Sequence, residues 1–139
     1  MSLKIALIGL GHMGKIHFNK LIAFKDVEVP AIVDVNMALA RELSENTAIK
    51  AYENYQEVIK MCDGAIIAST TETHYIIGKA FLEAGKHVFM EKPITVNPEE
   101  AQELIDTAEK RKLVFQIGHL ERFNPAFSRA SHSVSFVRA

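Results

Sequence analysis

Three glycines near the amino terminus constrain the fold of this chain more than any other feature. Gly9, Gly11 and Gly14 form the pattern Gly-x-Gly-x-x-Gly directly after the apolar run 3–8 and before a predicted helix. Between a strand and a helix, this pattern is typical of a phosphate-binding turn in a parallel α/β sheet. There Gly9 permits the sharp turn, Gly11 lets a pyrophosphate approach the backbone, and Gly14 lets helix and strand pack closely.

The helix after this turn is expected to direct its free backbone amides and its positive dipole end at the anion. The candidate cofactor-binding residues of the turn are Gly9, Leu10, Gly11, His12, Met13 and Gly14. Asp34 follows Gly14 by 20 positions and ends the second predicted strand. A carboxylate there can accept hydrogen bonds from the adenosine ribose and repels a 2′-phosphate, so NAD is predicted rather than NADP. The alternative is an ordinary strand–turn–helix followed by an incidental aspartate.

Short apolar runs alternate with helical patterns along the rest of the chain. The predicted strands are 3–8, 27–33, a weak strand at 48–51, 64–68, 87–90 and 113–117. Runs rich in Val and Ile with little alternation are typical of strands that helices cover on both faces. The pattern predicts an α/β fold with a doubly wound parallel sheet of the Rossmann type in three αβα layers. Residues 1–118 complete this dinucleotide-binding domain, and 119–139 are a short C-terminal extension, too short for a second domain.

Composition excludes several other classes of protein. The 139 residues suit one domain, and 48% hydrophobic residues suffice for a core. A net charge of −1 provides no basic surface for nucleic acid, and no run of about 20 apolar residues predicts a membrane span. Since the single cysteine cannot form an internal disulfide, we expect a cytoplasmic protein. Neither His12 nor His17 has a partner at metal-ligand spacing, so no metal site is predicted.

Polar segments follow three of the later predicted strands, at the edge where ligands bind in open α/β sheets. Residues 69–74 offer hydroxyls to a cofactor, although helix capping by Thr71 or its neighbours is the alternative. In 91–93, Lys92 can polarise a substrate hydroxyl or assist its deprotonation, whereas a solvated ion pair is the alternative. Arg122 either lies near the cofactor or substrate or belongs to a solvated exit loop.

With these motifs, the chain resembles the N-terminal domain of the Gfo/Idh/MocA oxidoreductases over residues 3–127. The most specific part is Glu91-Lys92-Pro93, which looks like the Glu-Lys-Pro motif of that family. The resemblance implies that Lys92 is catalytic, near both nicotinamide and substrate, and that Glu91 lines the cofactor site. It also implies a cis peptide bond between Lys92 and Pro93.

Further likenesses extend the set of candidate site residues. Ser69, Thr71 and His74 match the family's Thr-Pro-Thr-x-x-His pattern at the cofactor, with Ser69 in place of the first threonine and Thr70 in place of the proline. The segment 118–125, which contains the candidate substrate residue Arg122, is similar to a subgroup acting on nucleotide-linked or related sugars.

The resemblance implies hydride transfer between NAD and a sugar or cyclitol-type alcohol. Family members continue into a second domain that supplies most of the substrate pocket, and this sequence lacks it. The alternative is therefore a catalytically inactive NAD-binding module. Because the surface that such a domain would cover should be partly apolar, we expect self-association into a homo-oligomer.

Overall fold

The computed structural model describes residues 1–118 of the chain. These residues form a parallel sheet flanked by helices. The strands are β1 (Leu3–Ile8), β2 (Val27–Glu28), β3 (Ala31–Val33), β4 (Lys50–Tyr52), β5 (Gly64–Ile67), β6 (His87–Glu91) and β7 (Phe115–Gly118). The helices are α1 (His12–Leu21), α2 (Met37–Ser44), α3 (Thr71–Glu83) and α4 (Pro98–Arg111), and two 3₁₀ turns cover Tyr55–Glu57 and Ile59–Met61.

The strand order confirms the predicted doubly wound sheet. The order is β4-β3-β1-β5-β6-β7, with β2 also paired to β1, and every pairing is parallel. From the central β1, the chain first builds outward to β3 and β4 and then returns to β5 on the other side. The order therefore reverses between β1 and β5, and the carboxyl ends of strands at such a switch point are where ligands bind in this architecture.

Two separate hydrophobic clusters confirm the three-layer arrangement. Leu7 and Ile8 are successive residues of β1, and their side chains point to opposite faces of the sheet because strand periodicity is two. Leu7 packs in the cluster that contains Phe18 of α1, whereas Ile8 packs in the cluster that contains Phe81 of α3 and Leu104 of α4. The sheet is thus covered on both faces, which explains the continuous apolar runs of its strands.

The prediction of a single strand over 27–33 is wrong, because the structure divides this segment into β2 and β3. Leu3 pairs with Val27 but Leu7 pairs with Ile32, so one extra residue is accommodated on the second strand between these pairs. Pro30 lies in that interval, and a proline has no backbone N–H to donate to a sheet ladder. Both β2 and β3 pair with β1.

Helix α4 is capped by Asn97, and an ion pair at the surface connects it to α3. The Asn97 side chain accepts a hydrogen bond from the amide of Glu100 at 3.0 Å and caps the first turn. On the exposed face, Lys79 of α3 donates to Glu103 of α4 at 2.6 Å. This hydrogen bond holds the pKa of the Glu103 carboxyl below its usual range and raises the pKa of Lys79.

Candidate functional site

The turn between β1 and α1 presents uncapped helix amides at the switch point of the sheet. Helix α1 has Gly11 as its N-cap, no side chain caps it, and its first turn carries no acidic residue. Its first backbone hydrogen bond runs from the amide of Lys15 to the carbonyl of Gly11 at 2.9 Å. Within residues 1–118, the amides of residues 11–14 have no hydrogen-bond acceptor. Free amides at the positive end of a helix dipole form an anion-binding site.

The three glycines of this turn differ in what requires them. Gly9 has a φ of +88°, and a Cβ atom there would lie 2.5 Å from the amide nitrogen of Ser69. A Cβ on Gly14 would overlap the carbonyl oxygen of Gly9. A Cβ on Gly11, in contrast, would meet no atom within 4 Å. Packing of the protein itself therefore requires Gly9 and Gly14, whereas the open space at Gly11 fits an external group such as a pyrophosphate.

Asp34 is bonded to the same turn. Its Oδ2 accepts a hydrogen bond from the amide of Leu10 at 2.7 Å, and its Oδ1 accepts one from the amide of Asn36 at 2.8 Å. Each carboxylate oxygen has two lone pairs, so acceptor capacity remains on both for ribose hydroxyls. Leu10 is fully buried and its amide is already used, so within the turn this residue shapes the backbone instead of offering a donor.

A cleft of about 370 Å³ joins the carboxyl ends of β1, β3, β4 and β5. Its lining consists of Ile8, Gly9, Gly11, Val33, Asp34, Val35, Glu53, Tyr55, Ala68, Ser69, Thr70, Thr73 and Ile77. The structure thus brings together four of the predicted cofactor residues, namely Gly9, Gly11, Asp34 and Ser69. Sequence reasoning missed Glu53, although it directly follows β4 and the same strand-edge rule applies to it.

The hydroxyl cluster after β5 contains Thr73 together with the predicted Ser69, and not the predicted Thr71. Thr73 lines the cleft, and its hydroxyl lies 2.8 Å from both Ser69 Oγ and the carbonyl oxygen of Thr70. Thr70 is the N-cap of α3 but makes no side-chain capping bond, and Thr71 is the first helical residue. Capping by Thr71, the alternative from the sequence, is therefore not what organises this turn. Among the described residues, Thr71 is not part of the cleft lining.

Glu91 and Lys92 point to different surroundings at the end of β6. Glu91 is buried, and its Oε1 lies 2.5 Å from Nε2 of His17 on α1. Its other oxygen lies 2.9 Å from the position of a Cβ on Gly118, so the small residue there leaves room for the carboxylate. Lys92 is exposed and makes no ion pair with residues 1–118, so the alternative of a solvated ion pair at this lysine is not found in the described part of the chain.

The segment after Lys92 is fixed to α3. The Lys92–Pro93 peptide bond is cis, as the family resemblance implies. His74 is buried, and its ring nitrogens face the carbonyl oxygens of Pro93 at 2.8 Å and Ser69 at 3.0 Å. The predicted substrate residue Arg122 and the extension 119–139 lie outside the described residues.

The described residues offer neither a cluster of metal ligands nor a helix that could cross a membrane. Residues 1–118 contain no group of three or more His, Cys, Asp and Glu side chains that could hold a metal ion. None of the helices described has the length and apolar character that crossing a bilayer demands.

Comparison with known proteins identifies a family with the same fold. The family described as "Oxidoreductase family, NAD-binding Rossmann fold" matches residues 3–119. The UDP-N-acetylglucosamine 3-dehydrogenase of Acidithiobacillus ferrooxidans is 32% identical over 126 residues, which is 91% of this chain and 40% of that protein. The myo-inositol 2-dehydrogenase of Thermotoga maritima is 33% identical over 135 residues, which is 95% of this chain and 40% of that protein.

Solved structures give the same result. The UDP-N-acetylglucosamine 3-dehydrogenase from Acidithiobacillus ferrooxidans superposes with a TM-score of 0.86 at 30% identity, covering 96% of this chain and 44% of that chain. The scyllo-inositol dehydrogenase of Lactobacillus casei with bound NAD(H) and scyllo-inositol superposes with a TM-score of 0.86 at 26% identity, covering 95% and 40%. The chain thus spans about 40% of the length of the curated relatives that it matches.

Proposed function

The chain belongs to the Gfo/Idh/MocA oxidoreductase family and contains its NAD-binding Rossmann domain, and we propose that it holds NAD in the cleft at the carboxyl ends of β1, β3, β4 and β5. In this proposal, the pyrophosphate lies against the free amides at the start of α1, contributed by Gly11, His12, Met13 and Gly14. The ribose next to adenine bonds to Asp34. The hydroxyl cluster of Ser69 and Thr73 lies toward the nicotinamide half.

The open position at Gly11 is the observation that carries this proposal. An alanine methyl there would touch nothing in the described protein, so packing does not explain why the position lacks a side chain. Free helix amides border the same space. A group of negative charge that approaches the backbone closely accounts for both features.

The charges at the far end of the cleft favour NAD over NADP. Asp34 and Glu53 both line the cleft, so two carboxylates would face a 2′-phosphate there. The negative charges of these carboxylates and of the phosphate repel one another, and the repulsion weakens as the salt concentration increases. The sequence places neither Lys nor Arg directly after Asp34, where Val35 and Asn36 stand.

We propose Lys92 as the residue that handles the substrate proton. When bound, NAD supplies the hydride acceptor, while an exposed ammonium at the end of β6 can polarise a substrate hydroxyl or assist its deprotonation. The Glu91 carboxylate contacts His17 and forms no ion pair with Lys92, so it does not neutralise the lysine. The related dehydrogenases for inositols and a nucleotide-linked sugar support a sugar or cyclitol-type alcohol as substrate.

The hydride-transfer proposal is tested by NADH formation from NAD and a panel of cyclitols and nucleotide-linked sugars. We expect turnover that Lys92→Ala abolishes and that Lys110→Ala, on the exposed last turn of α4, leaves unchanged. If the chain binds NAD but forms no NADH with any of them, the inactive NAD-binding module is the better description.

Self-association and a cytoplasmic location remain predictions from the sequence. Exposed apolar side chains such as Ile76, Val96 and Val114 support the first of these. Light scattering over a range of concentrations tests it, and a monomer at every concentration would contradict it.

A further inference from the structure

His17, in the middle of α1, contacts two side chains near the end of β6. Its ring lies edge-on to the ring of Phe89, with the two ring centroids 5.4 Å apart. Its Nε2 lies 2.5 Å from Oε1 of Glu91. Phe89 and Glu91 are two residues apart on β6, so both side chains lie on the same face of the sheet. Helix α1 is therefore joined to the strand end that directly precedes Lys92.

The Glu91 carboxylate is confined from two sides. The side chains of His17 and Glu91 are only 12% and 11% exposed. Gly118 of β7 pairs with Glu91, and a Cβ atom on that glycine would lie 2.9 Å from Oε2. The carboxylate thus occupies space that the missing side chain of Gly118 leaves open. Within residues 1–118, His17 is the one group that hydrogen-bonds to it.

The chemistry of the two groups fixes the direction of this hydrogen bond. An ionised carboxylate can only accept, so Nε2 of His17 donates to Oε1 of Glu91. This holds for a ring that is protonated on Nε2 alone and for one that is protonated on both nitrogens. The contact is therefore the same whatever the charge of the ring. Hydrogen bonds to an ionised group are shorter and stronger than those between neutral groups.

Packing alone does not account for a polar pair at this place. Two apolar side chains of similar volume can stabilise a buried contact as well as an ion pair does, because they avoid the cost of desolvation. A hydrogen bond differs from an apolar contact in that it also sets the direction of both side chains. The pair thus adds a defined orientation to the last residue of β6.

We propose that His17 is a positioning residue that holds Glu91 against α1 and thereby fixes the strand end from which Lys92 follows. The first turn of the same helix carries the free amides assigned to the pyrophosphate. One helix would then place both the cofactor phosphates and the lysine. The bonding of the pair is independent of the proposed function, whereas its importance for catalysis rests on that function.

Two substitutions of His17 separate its hydrogen bond from its packing. His17→Phe keeps an aromatic ring against Phe89 but has no donor, whereas His17→Gln keeps an N–H group. In the chain without nucleotide, we expect His17→Phe to lower the NMR order parameters of the Glu91 and Lys92 amides from about 0.85 toward about 0.6. His17→Gln should restore most of this order. Lys20→Gln, exposed on the same helix, is the control and should change nothing at these amides.

Unchanged order at Glu91 and Lys92 in His17→Phe would overturn the proposal. An equal loss of order in His17→Gln would also overturn it, because a donor alone would then not restore the contact. Nitrogen-15 NMR of the wild-type ring decides the matter if His17→Phe fails to fold. We expect Nε2 of His17 to carry a proton that exchanges with water at least about tenfold more slowly than the ring protons of the exposed His12. An unprotonated Nε2, or exchange as fast as in His12, would contradict the hydrogen bond.

Turnover with NAD tests the importance of the pair for catalysis. A misplaced lysine should slow the chemical step more than it weakens cofactor binding. We therefore expect His17→Phe to lower kcat at least about tenfold with a KM for NAD within about threefold, and His17→Gln to recover most of kcat. A loss confined to KM would contradict positioning of the lysine. Wild type that binds NAD but forms no NADH contradicts only the proposed hydride transfer, and the order parameters still decide whether His17 positions Lys92.

Discussion

The carboxylate of Asp34 accepts a hydrogen bond from the backbone amide of Leu10 at 2.7 Å, which ties the end of β3 to the glycine turn. Its second oxygen is held by the amide of Asn36. The group is therefore fixed before a ribose arrives, and pre-ordering of this kind lowers the entropic cost of binding. Asp34 has two tasks in this account: it shapes the phosphate-binding turn, and it is the proposed ribose ligand.

Substitutions of Asp34 are expected to weaken NAD binding in proportion to the acceptors that they remove. Asp34→Ala removes both oxygens and frees the amides of Leu10 and Asn36, so we expect the Kd for NAD to rise about 100-fold and the Tm to fall. Asp34→Asn keeps one oxygen, and we expect a rise of about tenfold. Calorimetry with NAD and thermal unfolding measure both effects. Equal affinities of wild type and Asp34→Ala would remove Asp34 from the site.

Glu53 is expected to contribute to the preference for NAD over NADP in binding affinity. Its exposed carboxylate lines the cleft with Asp34, so Glu53→Gln removes one of two charges that would repel a 2′-phosphate. We expect the affinity for NADP to rise about threefold at low salt, with less change for NAD, and the gain to shrink as salt is added. Glu57→Gln, an exposed residue of the following 3₁₀ turn outside the cleft lining, is the control. An equal gain in NADP affinity for Glu57→Gln would show a long-range effect of net charge and would contradict a specific role of Glu53.

Gly14 is expected to be a determinant of stability. A Cβ at this position would overlap the carbonyl oxygen of Gly9, and the obstacle is backbone that cannot rotate away. We expect Gly14→Ala to lower the free energy of unfolding by about 2–4 kcal/mol. Urea denaturation measures the loss, with Gly11→Ala as a control that should cost far less because its methyl group meets open space. Similar losses in both variants would contradict the assigned roles.

The ion pair between α3 and α4 is expected to make a pH-dependent contribution to stability. The pKa of Glu103 lies below its usual value of 4.5 because Lys79 donates to the carboxylate. A lowered folded-state pKa stabilises the protein above the unfolded value, and this stabilisation is lost as pH falls through the folded value.

Glu103→Gln should therefore be less stable than wild type at neutral pH and match it in acid. Urea denaturation at both pH values measures the difference, which should be small because the pair is exposed. Glu109→Gln, also exposed on α4, is the control. A difference for Glu103→Gln that persists in acid would contradict the role of the charged pair.

The sequence predicts those parts of the structure that depend on interactions between residues close together in the chain. The glycine turn depends on residues close together in the chain, and it lies between a strand and a helix as predicted. The break between β2 and β3 was also detectable, since Pro30 stands inside the predicted strand. Glu53 was missed because the weak strand was predicted to end at residue 51, whereas β4 ends at Tyr52 and Glu53 directly follows it.

Contacts between distant parts of the chain were not predictable from local patterns. His17 and Glu91 are 74 residues apart, and only the packing of α1 against the end of β6 brings them within 2.5 Å. The same is true of His74, whose sequence pattern suggested a cofactor contact but whose ring bonds to two backbone loops. In both cases a polar group is satisfied by tertiary partners that no spacing rule identifies.

The central claim, that NAD lies against the amides at Gly11, is tested most directly by calorimetric titration of NAD into wild type and Gly11→Ala. The added methyl group touches no described atom, so the variant should keep the Tm of the wild type. We predict saturable binding by wild type and a Kd at least about 30-fold higher in the variant, because the methyl occupies the space of the pyrophosphate. Equal affinity in a folded variant, or no binding by the folded wild type, would contradict the account.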